Sequence, residues 1–297
     1  MKALVLPMPG NEPLARCLAV HLDAESGALE SRRFPDGESY VRILSPVEGR
    51  KVVIACTLND PDRKILPLAF LAATCRELGA LETGLAAPYL AYMRQDARFN
   101  PGEAISSRPF AKALGNWVDW LVTVDPHLHR YGSLGDIYSI PAAAVHAAPL
   151  VSAWIGSHVE RPLLVGPDSE SAQWVSEVAK AAGAPCVVLQ KVRRGDRDVE
   201  VSVPEVARWQ ERTPVLVDDI ISTAQTMMET VRHLRRAGLA PPVCIGTHGI
   251  FSGTAYEDLI AAGASRIVTC NTISHSSNAI DVSGLLAEEI RRFQGAR

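Results

Sequence analysis

Residues 213–227 read Thr-Pro-Val-Leu-Val-Asp-Asp-Ile-Ile-Ser-Thr-Ala-Gln-Thr-Met, an apolar run that ends in two carboxylates and a hydroxyl-rich turn. The short run at 215–217 is typical of a buried parallel strand, so Asp218 and Asp219 are expected at its carboxyl end. Helical spacing over 227–236 places the N–H groups of the turn at a helix N-terminus, where phosphate is favoured. Because carboxylates only accept hydrogen bonds, the pair suits the 2- and 3-hydroxyls of a sugar whose 5-phosphate lies in the turn. The alternative is a helix cap with two solvated aspartates.

The same stretch resembles the phosphoribosyl diphosphate loop of type I phosphoribosyltransferases and of the ribose-phosphate diphosphokinase family. That loop commonly reads Asp-Asp-Ile-Ile-Asp-Thr-Ala-Gly-Thr, whereas this chain has Ser222 and Gln225. Serine keeps a hydroxyl but loses a charge, and Gln225 stands where glycine could supply a positive φ. The resemblance implies that Asp218 and Asp219 bind the ribose hydroxyls. The residues implied to bind the 5-phosphate are Ser222, Thr223, Ala224, Gln225 and Thr226.

The composition fits a soluble enzyme with two domains but does not specify one. The 297 residues are 47 % hydrophobic and 21 % charged, which is ordinary for globular chains of this length. A formal net charge of −3 argues against a nucleic-acid or membrane partner. Six scattered cysteines without a Cys-x-x-Cys pair indicate reduced core thiols. Since no signal peptide or membrane span is evident, we expect a cytoplasmic protein.

Short apolar runs alternate with amphipathic stretches, which is typical of βα units around a mostly parallel sheet. Strands are predicted at 3–6, 52–56, 121–124, 163–165, 186–189, 215–217 and 267–269. Helices are predicted at 12–22, 62–78, 106–114, 171–182 and 284–292. Ligands on such sheets bind at the carboxyl ends of the strands. We therefore expect 121–127 and 215–219 to be corresponding strand ends of two halves, with a crossover at 140–149.

Further segments resemble the same family in the same order. Residues 33–40 read Arg-Phe-Pro-Asp-Gly-Glu-Ser-Tyr and resemble the family's Phe-Ser-Asp-Gly-Glu loop, which contacts the adenine of ATP across a subunit interface. Phe34 can stack on a base, while Asp36 and Glu38 can accept hydrogen bonds from an exocyclic amine or a sugar. The resemblance places Gly37 in the same ATP-binding loop. Taken alone, Pro-Asp-Gly indicates only a turn.

A second ATP segment lies at residues 88–106, which read Pro-Tyr-Leu-Ala-Tyr-Met-Arg-Gln-Asp-Ala-Arg-Phe-Asn-Pro-Gly-Glu-Ala-Ile-Ser. This wording resembles the family's Pro-Tyr-x-x-Tyr-x-Arg-Gln-Asp, most of all in the archaeal-type branch. Arg94 offers a rigid fork of donors for phosphate oxygens, and Gln95 can orient the nucleotide. Asp96 is expected to hold Arg94 or Arg98 in place. A surface loop with an ion pair is the alternative.

Two segments resemble the family's magnesium-binding sequences. Residues 124–129, Val-Asp-Pro-His-Leu-His, are similar to its Asp-Leu-His, which makes His127 a contact of the Mg²⁺ of MgATP and gives His129 no matching role. Residues 165–170, Val-Gly-Pro-Asp-Ser-Glu, stand where the family has Ser-Pro-Asp followed by glycines, which makes Asp168 a second contact. Because Mg²⁺ prefers oxygen ligands, chemistry alone would not assign the histidine, and a hydrogen-bonded structural histidine is the alternative.

Residues 189–197, Leu-Gln-Lys-Val-Arg-Arg-Gly-Asp-Arg, resemble the start of the family's mobile catalytic loop, which carries a Lys-x-Arg pair. Lys191 and Arg193 match that pair. The resemblance implies a cationic lid over the transferring diphosphoryl group, with Arg193 also contacting ribose 5-phosphate. A solvated basic loop is the alternative.

The resemblance covers most of the chain and implies two tandem α/β domains of the phosphoribosyltransferase type. These are expected at 1–147, with the ATP motifs, and at 148–297, with the ribose 5-phosphate site. Helix 284–297 is expected to pack back on the first domain.

The implied reaction is a diphosphoryl transfer from MgATP to ribose 5-phosphate, without a covalent protein nucleophile, that yields phosphoribosyl diphosphate and AMP. The family also implies a homo-oligomer. Two alternatives are a catalytically silent regulatory homologue and a base-specific phosphoribosyltransferase that ignores ATP.

Overall fold

The chain folds into two units in a computed structural model that describes residues 1–128, 130–167, 171–194, 198–202 and 206–295. At residues 173, 190–194, 198–202 and 206–207 the description covers the backbone alone. Unit 1 comprises Met1–His146 with Val282–Arg297, and unit 2 comprises Ala147–Asp281. Unit 1 is therefore built from two segments that are separated in sequence by the whole of unit 2.

Unit 1 is a parallel sheet with helices, plus a β-hairpin. Its elements in chain order are β1 (Leu4–Pro7), α1 (Glu12–His21), β2 (Glu25–Ser26), β3 (Leu29–Arg33), β4 (Ser39–Ile43), β5 (Lys51–Ala55), α2 (Ile65–Glu77), β6 (Glu82–Ala87), α3 (Ser107–Gly115), β7 (Trp120–Val124) and β8 (Ala142–Val145). The central strands are buried along almost their whole length, as expected for a sheet covered on both faces.

Unit 2 repeats this plan. Its elements are α4 (Ala148–His158), β9 (Pro162–Gly166), α5 (Ala172–Ala182), β10 (Cys186–Val188), β11 (Gln190–Arg194), β12 (Asp198–Ser202), β13 (Thr213–Ile221), α6 (Gln225–Arg236), β14 (Val243–Gly249), α7 (Ala255–Ala261), β15 (Arg266–Cys270) and β16 (Asn278–Ile280). The last helix, α8 (Ser283–Gly295), belongs to unit 1.

The two sheets have the same topology. Their strand orders are β2-β1-β5-β6-β7-β8 and β10-β9-β13-β14-β15-β16, and all neighbours are parallel. In this order β13 corresponds to β5, and β7 corresponds to β15. The expectation that the ends of β7 and β13 correspond is therefore wrong, because apolar strands that end in Asp look alike in sequence wherever they lie in a sheet.

Several elements were not predicted from the sequence. Strands β6 and β14 read Glu-Thr-Gly-Leu-Ala-Ala and Val-Cys-Ile-Gly-Thr-His-Gly, and their small and polar residues give no strand signal although both strands are buried. Residues 140–149, expected to be a crossover, contain β8 and the start of α4. Two hairpins, β3–β4 and β11–β12, interrupt the alternation of strands and helices.

The helix after the edge strand of each sheet packs in the other unit. Helix α4 follows β8 but packs on α5, where Ser152 Oγ donates to the Val178 carbonyl at 3.0 Å. Helix α8 follows β16 but packs on α1 and β7, and Phe293 stacks on Trp120 with ring centroids 5.7 Å apart. Every helix within the described residues is too short or too polar to span a bilayer.

Candidate active site

The structure places both aspartates of the deciding stretch inside β13 rather than after it. The strand continues to Ile221, so the expectation that it stops at residue 217 is wrong. Pairing with β14 persists past the carboxylates, with Asp218 opposite Gly246. A Cβ at Gly246 would lie 2.6 Å from the Ile221 side chain, so glycine lets the two strands stay paired here. The half-buried Asp218 and Asp219 are thus carried by paired backbone.

The turn after β13 contains a left-handed residue, Ala224, with φ +57°. Gln225 is already the first residue of α6, so the concern that it must adopt a positive φ is wrong. The first N–H groups of a helix have no intrahelical acceptor, and here they belong to Gln225, Thr226 and Met227. These donors point at a position where the helix dipole favours an anion.

The loop after β14 holds the start of this turn. The Ile221 carbonyl accepts hydrogen bonds from the N–H groups of Ile250 at 2.9 Å and Phe251 at 3.1 Å. The Ser222 carbonyl accepts from Ser252 N at 3.1 Å, and the hydroxyl oxygens of the two serines are 3.3 Å apart. A neutral pair of hydroxyls therefore stands where the family pattern has an aspartate.

Residues 34–38 form the tip of the β3–β4 hairpin. Phe34 N donates to the Glu38 carbonyl at 2.8 Å, and Gly37 N donates to the Phe34 carbonyl at 2.9 Å. Gly37 has φ +94°, a conformation that glycine adopts at little cost. Asp36 Oδ1 accepts from Glu38 N at 3.2 Å, and the guanidinium of Arg32 lies 4.7 Å from the Phe34 ring centroid. The hairpin thus presents an exposed aromatic ring beside carboxylates.

Glu103 organises the loop that follows the exposed Arg94. Its carboxylate accepts hydrogen bonds from Asn100 Nδ2 at 2.6 Å and from the backbone N–H groups of Asn100 and Phe99 at 3.0 and 2.8 Å. Gln95 Nε2 donates to the same carboxylate at 3.3 Å. The bonds from Asn100, then that from Phe99, hold the pKa of Glu103 below its usual value. The loop is therefore organised around a charged carboxylate, with Gln95 attached to it.

Asp96 pairs with Arg130, not with Arg94 or Arg98. Arg130 Nη1 lies 2.7 Å from Asp96 Oδ1, and the Asp96 side chain is only 1 % exposed. Arg98 instead donates from Nε to the Glu103 carbonyl at 2.8 Å. The sequence expectation for Asp96 is wrong because the partner lies 34 residues away and no local spacing indicates it.

His127 lies in the loop after β7, two residues beyond the buried Asp125. Asp125 adopts φ +34°, and its Oδ1 lies 3.0 Å from His146 Nδ1. Its N–H donates to the Val145 carbonyl at 3.0 Å, which ties the loop to the end of β8. His127 is partly exposed.

Four residues singled out in the sequence lie wholly or partly outside the described part of the chain. Asp168 and His129 lie outside the described residues, whereas Lys191 and Arg193 lie on β11, opposite Val201 and Val199 of β12. The side chains of Lys191 and Arg193 are outside the description.

No group of three potential metal-ligating side chains occurs within the described ranges. Mg²⁺ often takes only one or two protein ligands together with substrate phosphates and water, so a magnesium site need not contain such a group.

Three residues around the predicted sites were missed by sequence reasoning. They are Glu103, Arg130 and Ser252. Glu103 was part of the quoted ATP segment, and its position near Asn-Pro-Gly could have indicated a carboxylate that caps a turn. Arg130 and Ser252 act through contacts that are distant in sequence, so no spacing rule would have found them.

Known proteins resemble this chain along almost its whole length. Residues 3–117 match the family model for the N-terminal domain of ribose phosphate pyrophosphokinase, and residues 133–285 match that for the phosphoribosyl transferase domain. The chain is 34 % identical to the ribose-phosphate pyrophosphokinase of Methanopyrus kandleri over 294 residues, which are 98 % of this chain and 100 % of the relative. It is also 34 % identical to that of Methanosarcina acetivorans over 287 residues, 96 % of this chain and 98 % of the relative. These are archaeal relatives, as the wording of the second ATP segment predicted.

A solved structure agrees with the fold of both units. The crystal structure of phosphoribosylpyrophosphate synthetase from Mycobacterium smegmatis matches with a TM-score of 0.87 and 26 % identity over 100 % of both chains. The expected fold of two α/β units, each with a parallel sheet flanked by helices, is confirmed. With both family models matched and relatives similar along almost the whole chain, this protein belongs to the ribose-phosphate pyrophosphokinase family.

Proposed function

We propose that this chain transfers the β,γ-diphosphoryl group of MgATP to the 1-hydroxyl of ribose 5-phosphate and releases AMP. The observation that carries the proposal is the turn after β13, where two carboxylates on a paired strand precede a helix N-terminus within residues 218–226. A chain that also carries an aromatic hairpin and the Arg94–Gln95 segment is equipped for a second, nucleotide substrate. Family membership supports the same reaction.

Ribose 5-phosphate binds to unit 2 in this proposal. The N–H groups at the start of α6 and the hydroxyls of Ser222, Thr223 and Thr226 donate to the 5-phosphate. Asp218 and Asp219 accept from the 2- and 3-hydroxyls, which fixes the sugar at both ends. The anomeric hydroxyl is thereby oriented for attack, and orientation of this kind supplies much of the acceleration in two-substrate reactions.

ATP binds through groups of unit 1. Arg94 donates to phosphate oxygens and Gln95 orients the nucleotide, with Gln95 held by Glu103. Phe34 stacks on adenine, while Asp36, Gly37 and Glu38 at the same hairpin tip supply acceptors and a compact turn. Phe34 keeps 39 % of its surface exposed, so its ring is accessible to a base.

His127 would contact the Mg²⁺ that arrives with ATP, and the family resemblance gives Asp168 a magnesium contact of its own. When bound, the metal neutralises charge on the diphosphoryl group. Lys191 and Arg193 stabilise the charge that develops on the transferring phosphoryl oxygens, and Arg193 also contacts ribose 5-phosphate.

The proposal includes a homo-oligomer in which the β3–β4 hairpin meets a second copy of the chain. Helix α2, which packs on β4, leaves Leu66 and Phe70 exposed by 56 % and 46 % on one face. An exposed apolar stripe beside a functional hairpin is suited to a subunit contact. If Phe70→Glu leaves the mass in solution unchanged, helix α2 is not part of such a contact.

The protein is proposed to act in the cytoplasm. All six cysteines are free thiols, and four of them, Cys56, Cys75, Cys244 and Cys270, are buried. Burial raises the pKa of Cys56, Cys75 and Cys244 to about 12, which keeps these thiols protonated and unreactive. Free thiols of this kind are typical of a reducing compartment.

The deciding experiment measures AMP and phosphoribosyl diphosphate formed from MgATP by the purified chain, with and without ribose 5-phosphate. Equal amounts of both products, formed only with ribose 5-phosphate, are expected. A folded sample without turnover would contradict the proposal, and a panel of nucleobases with phosphoribosyl diphosphate would then test a base-specific transferase. Inactivity in that panel as well would favour a silent regulatory homologue.

A further inference from the structure

Two separate segments of unit 1 carry groups for ATP, and Arg130 connects them. One segment bears Arg94 and Gln95 before α3, and the other bears His127 after β7. We propose that Arg130 is a positioning residue that sets the Arg94–Gln95 segment relative to His127 through its ion pair with Asp96. This inference rests on the proposed function, in which Arg130 contacts neither phosphate nor metal.

The ion pair is short and joins a buried carboxylate to a partly exposed guanidinium. Arg130 Nη1 and Asp96 Oδ1 are 2.7 Å apart, and Asp96 is 1 % exposed whereas Arg130 is 53 % exposed. A buried carboxylate strongly requires a charged partner. Asp96 directly follows Gln95 in the chain, so the position of the Asp96 carboxylate and that of the Gln95 backbone are coupled.

Arg130 makes a second contact with the same segment. Its guanidinium carbon lies 5.2 Å from the centroid of the Phe99 ring, a distance at which a cation is attracted to an aromatic face. Phe99 in turn donates its N–H to Glu103, the carboxylate that holds Gln95. Arg130 therefore contacts the segment at two positions, Asp96 and Phe99.

The neighbouring residue adds a third contact between the segments. Tyr131 Oη lies 3.3 Å from Ser107 Oγ at the start of α3, and the N–H of Ser107 donates to the Gln95 carbonyl at 3.4 Å. The hydrogen bond with Ser107, and then the nearby Arg108, hold the pKa of Tyr131 below its usual value. Gln95 is thus held from the side of α3 as well as from Glu103.

These contacts predict a selective effect on ATP. Arg130 contacts Asp96 and Phe99 of unit 1, whereas the β13–α6 turn belongs to unit 2, so loss of Arg130 should misplace Arg94 and Gln95 but leave the ribose 5-phosphate groups intact. Small misplacements of positioning groups commonly change catalytic parameters by roughly 10- to 100-fold.

The test compares Arg130→Met with Arg130→Lys and with the double variant Arg130→Met/Asp96→Asn. The matched control is Arg76→Met. Arg76 is an exposed residue at the end of α2, the helix that precedes β6, so it lies at the edge of the sheet where the strands begin. Each protein is assayed for the KM of ATP, the KM of ribose 5-phosphate and kcat. Calorimetric titration with MgATP alone gives a readout that does not need turnover, and thermal unfolding reports stability.

We expect Arg130→Met to raise the KM and Kd of ATP by about tenfold or more and to leave the KM of ribose 5-phosphate unchanged. Lysine should restore ATP binding in part, because it keeps the charge but not the planar contact with Phe99. The double variant should regain stability, since the buried charge is gone, but not ATP affinity. If Arg130→Met does not fold, Arg130→Lys and the double variant carry the test.

Two results would overturn the role of Arg130. One is an ATP affinity in Arg130→Met equal to that of Arg76→Met. The other is recovery of ATP affinity in the double variant in parallel with its stability, which would show a structural role only. Failure of the unmodified chain to form phosphoribosyl diphosphate would overturn the proposed function instead, and the MgATP titration would still decide on Arg130.

Discussion

The loops after β5 and β13 occupy the same place in two sheets of the same topology, yet one surrounds a cation and the other is suited to an anion. In unit 1, Lys64 donates from Nζ to the Thr57 carbonyl at 2.8 Å and to Asn59 Oδ1 at 2.5 Å. In unit 2, the loop leads through Ala224 directly into α6 and presents hydroxyls and N–H groups. A shared backbone plan therefore does not dictate the charge of the group that a loop can hold.

Backbone conformation is similar in the two loops even though their chemistry differs. Each contains one left-handed non-glycine residue, Asp60 with φ +49° and Ala224 with φ +57°. After Asp60 the chain forms a 3-10 turn, Pro61–Arg63, before α2 begins, whereas α6 begins at once after Ala224. With this extra turn, Lys64 lies directly before α2, and its ammonium donates back to the oxygens of Thr57 and Asn59.

The largest expected effect concerns the two lysines. Lys191→Ala should lower turnover by roughly 10²-fold or more, because the transferring diphosphoryl group loses the positive charge that stabilises it. Lys64→Ala should leave turnover close to that of the unmodified chain, since the unit 1 loop binds no substrate in the proposal. Steady-state assays of both variants test this, and near-normal turnover of Lys191→Ala would refute its assigned role.

The next largest effect concerns matched aspartates. Asp218→Asn should raise the KM of ribose 5-phosphate by about tenfold, equivalent to about 1.4 kcal/mol, because a charged acceptor for a ribose hydroxyl is lost. Asp60→Asn in unit 1 should leave this KM unchanged, and asparagine tolerates the left-handed conformation. Equal effects of the two substitutions would remove the distinction between the loops.

A smaller effect is expected in stability. Ala224→Gly should raise the free energy of unfolding by about 1 kcal/mol, because glycine relieves the left-handed strain of a residue with a Cβ. Asp60→Gly should raise the free energy of unfolding by less, since aspartate tolerates this conformation better than alanine. Urea unfolding followed by circular dichroism measures both, and destabilisation by Ala224→Gly would show that its strain is not the dominant contribution.

The smallest effect concerns pH. Burial holds the pKa of Lys64 below its ordinary 10.5, although Cys56 and Asp60 act in the opposite direction. Between the lowered pKa and 10.5 the unfolded chain binds more protons at this lysine, so its contribution to stability rises with pH. The pKa of the Cys56 thiol is raised to about 12, so its contribution to stability falls as pH rises over an overlapping range.

Lys64→Met isolates the lysine contribution. The free energy of unfolding of the unmodified chain minus that of Lys64→Met should increase as pH rises toward 10.5. Urea titrations of both proteins at a series of alkaline pH values give this difference. A difference that is constant with pH would mean that Lys64 keeps its ordinary pKa.

The same contrast explains which parts of the site and of the fold could be predicted from the sequence. The proposed ribose site could be predicted because Asp218, Asp219 and the hydroxyls lie within nine residues of one another, so local spacing contains most of the information. The pairing of Asp96 with Arg130 was missed because it joins two loops that only the sheet brings together. Strand β14 was missed because neighbouring strands, rather than its own Gly and Thr residues, stabilise it.

The placement of α8 has a consequence for how the chain is made. On the ribosome a chain is made from its N-terminus, and domains generally fold as units once their residues are available. Unit 2 has all of its residues when Asp281 has been added, whereas unit 1 still lacks the helix that stacks Phe293 on Trp120 and buries Leu286 and Ile290. Until then the nascent first sheet has an uncovered apolar side, a form of exposure that invites chaperone binding. The unit whose synthesis begins first is therefore the one that completes its fold last.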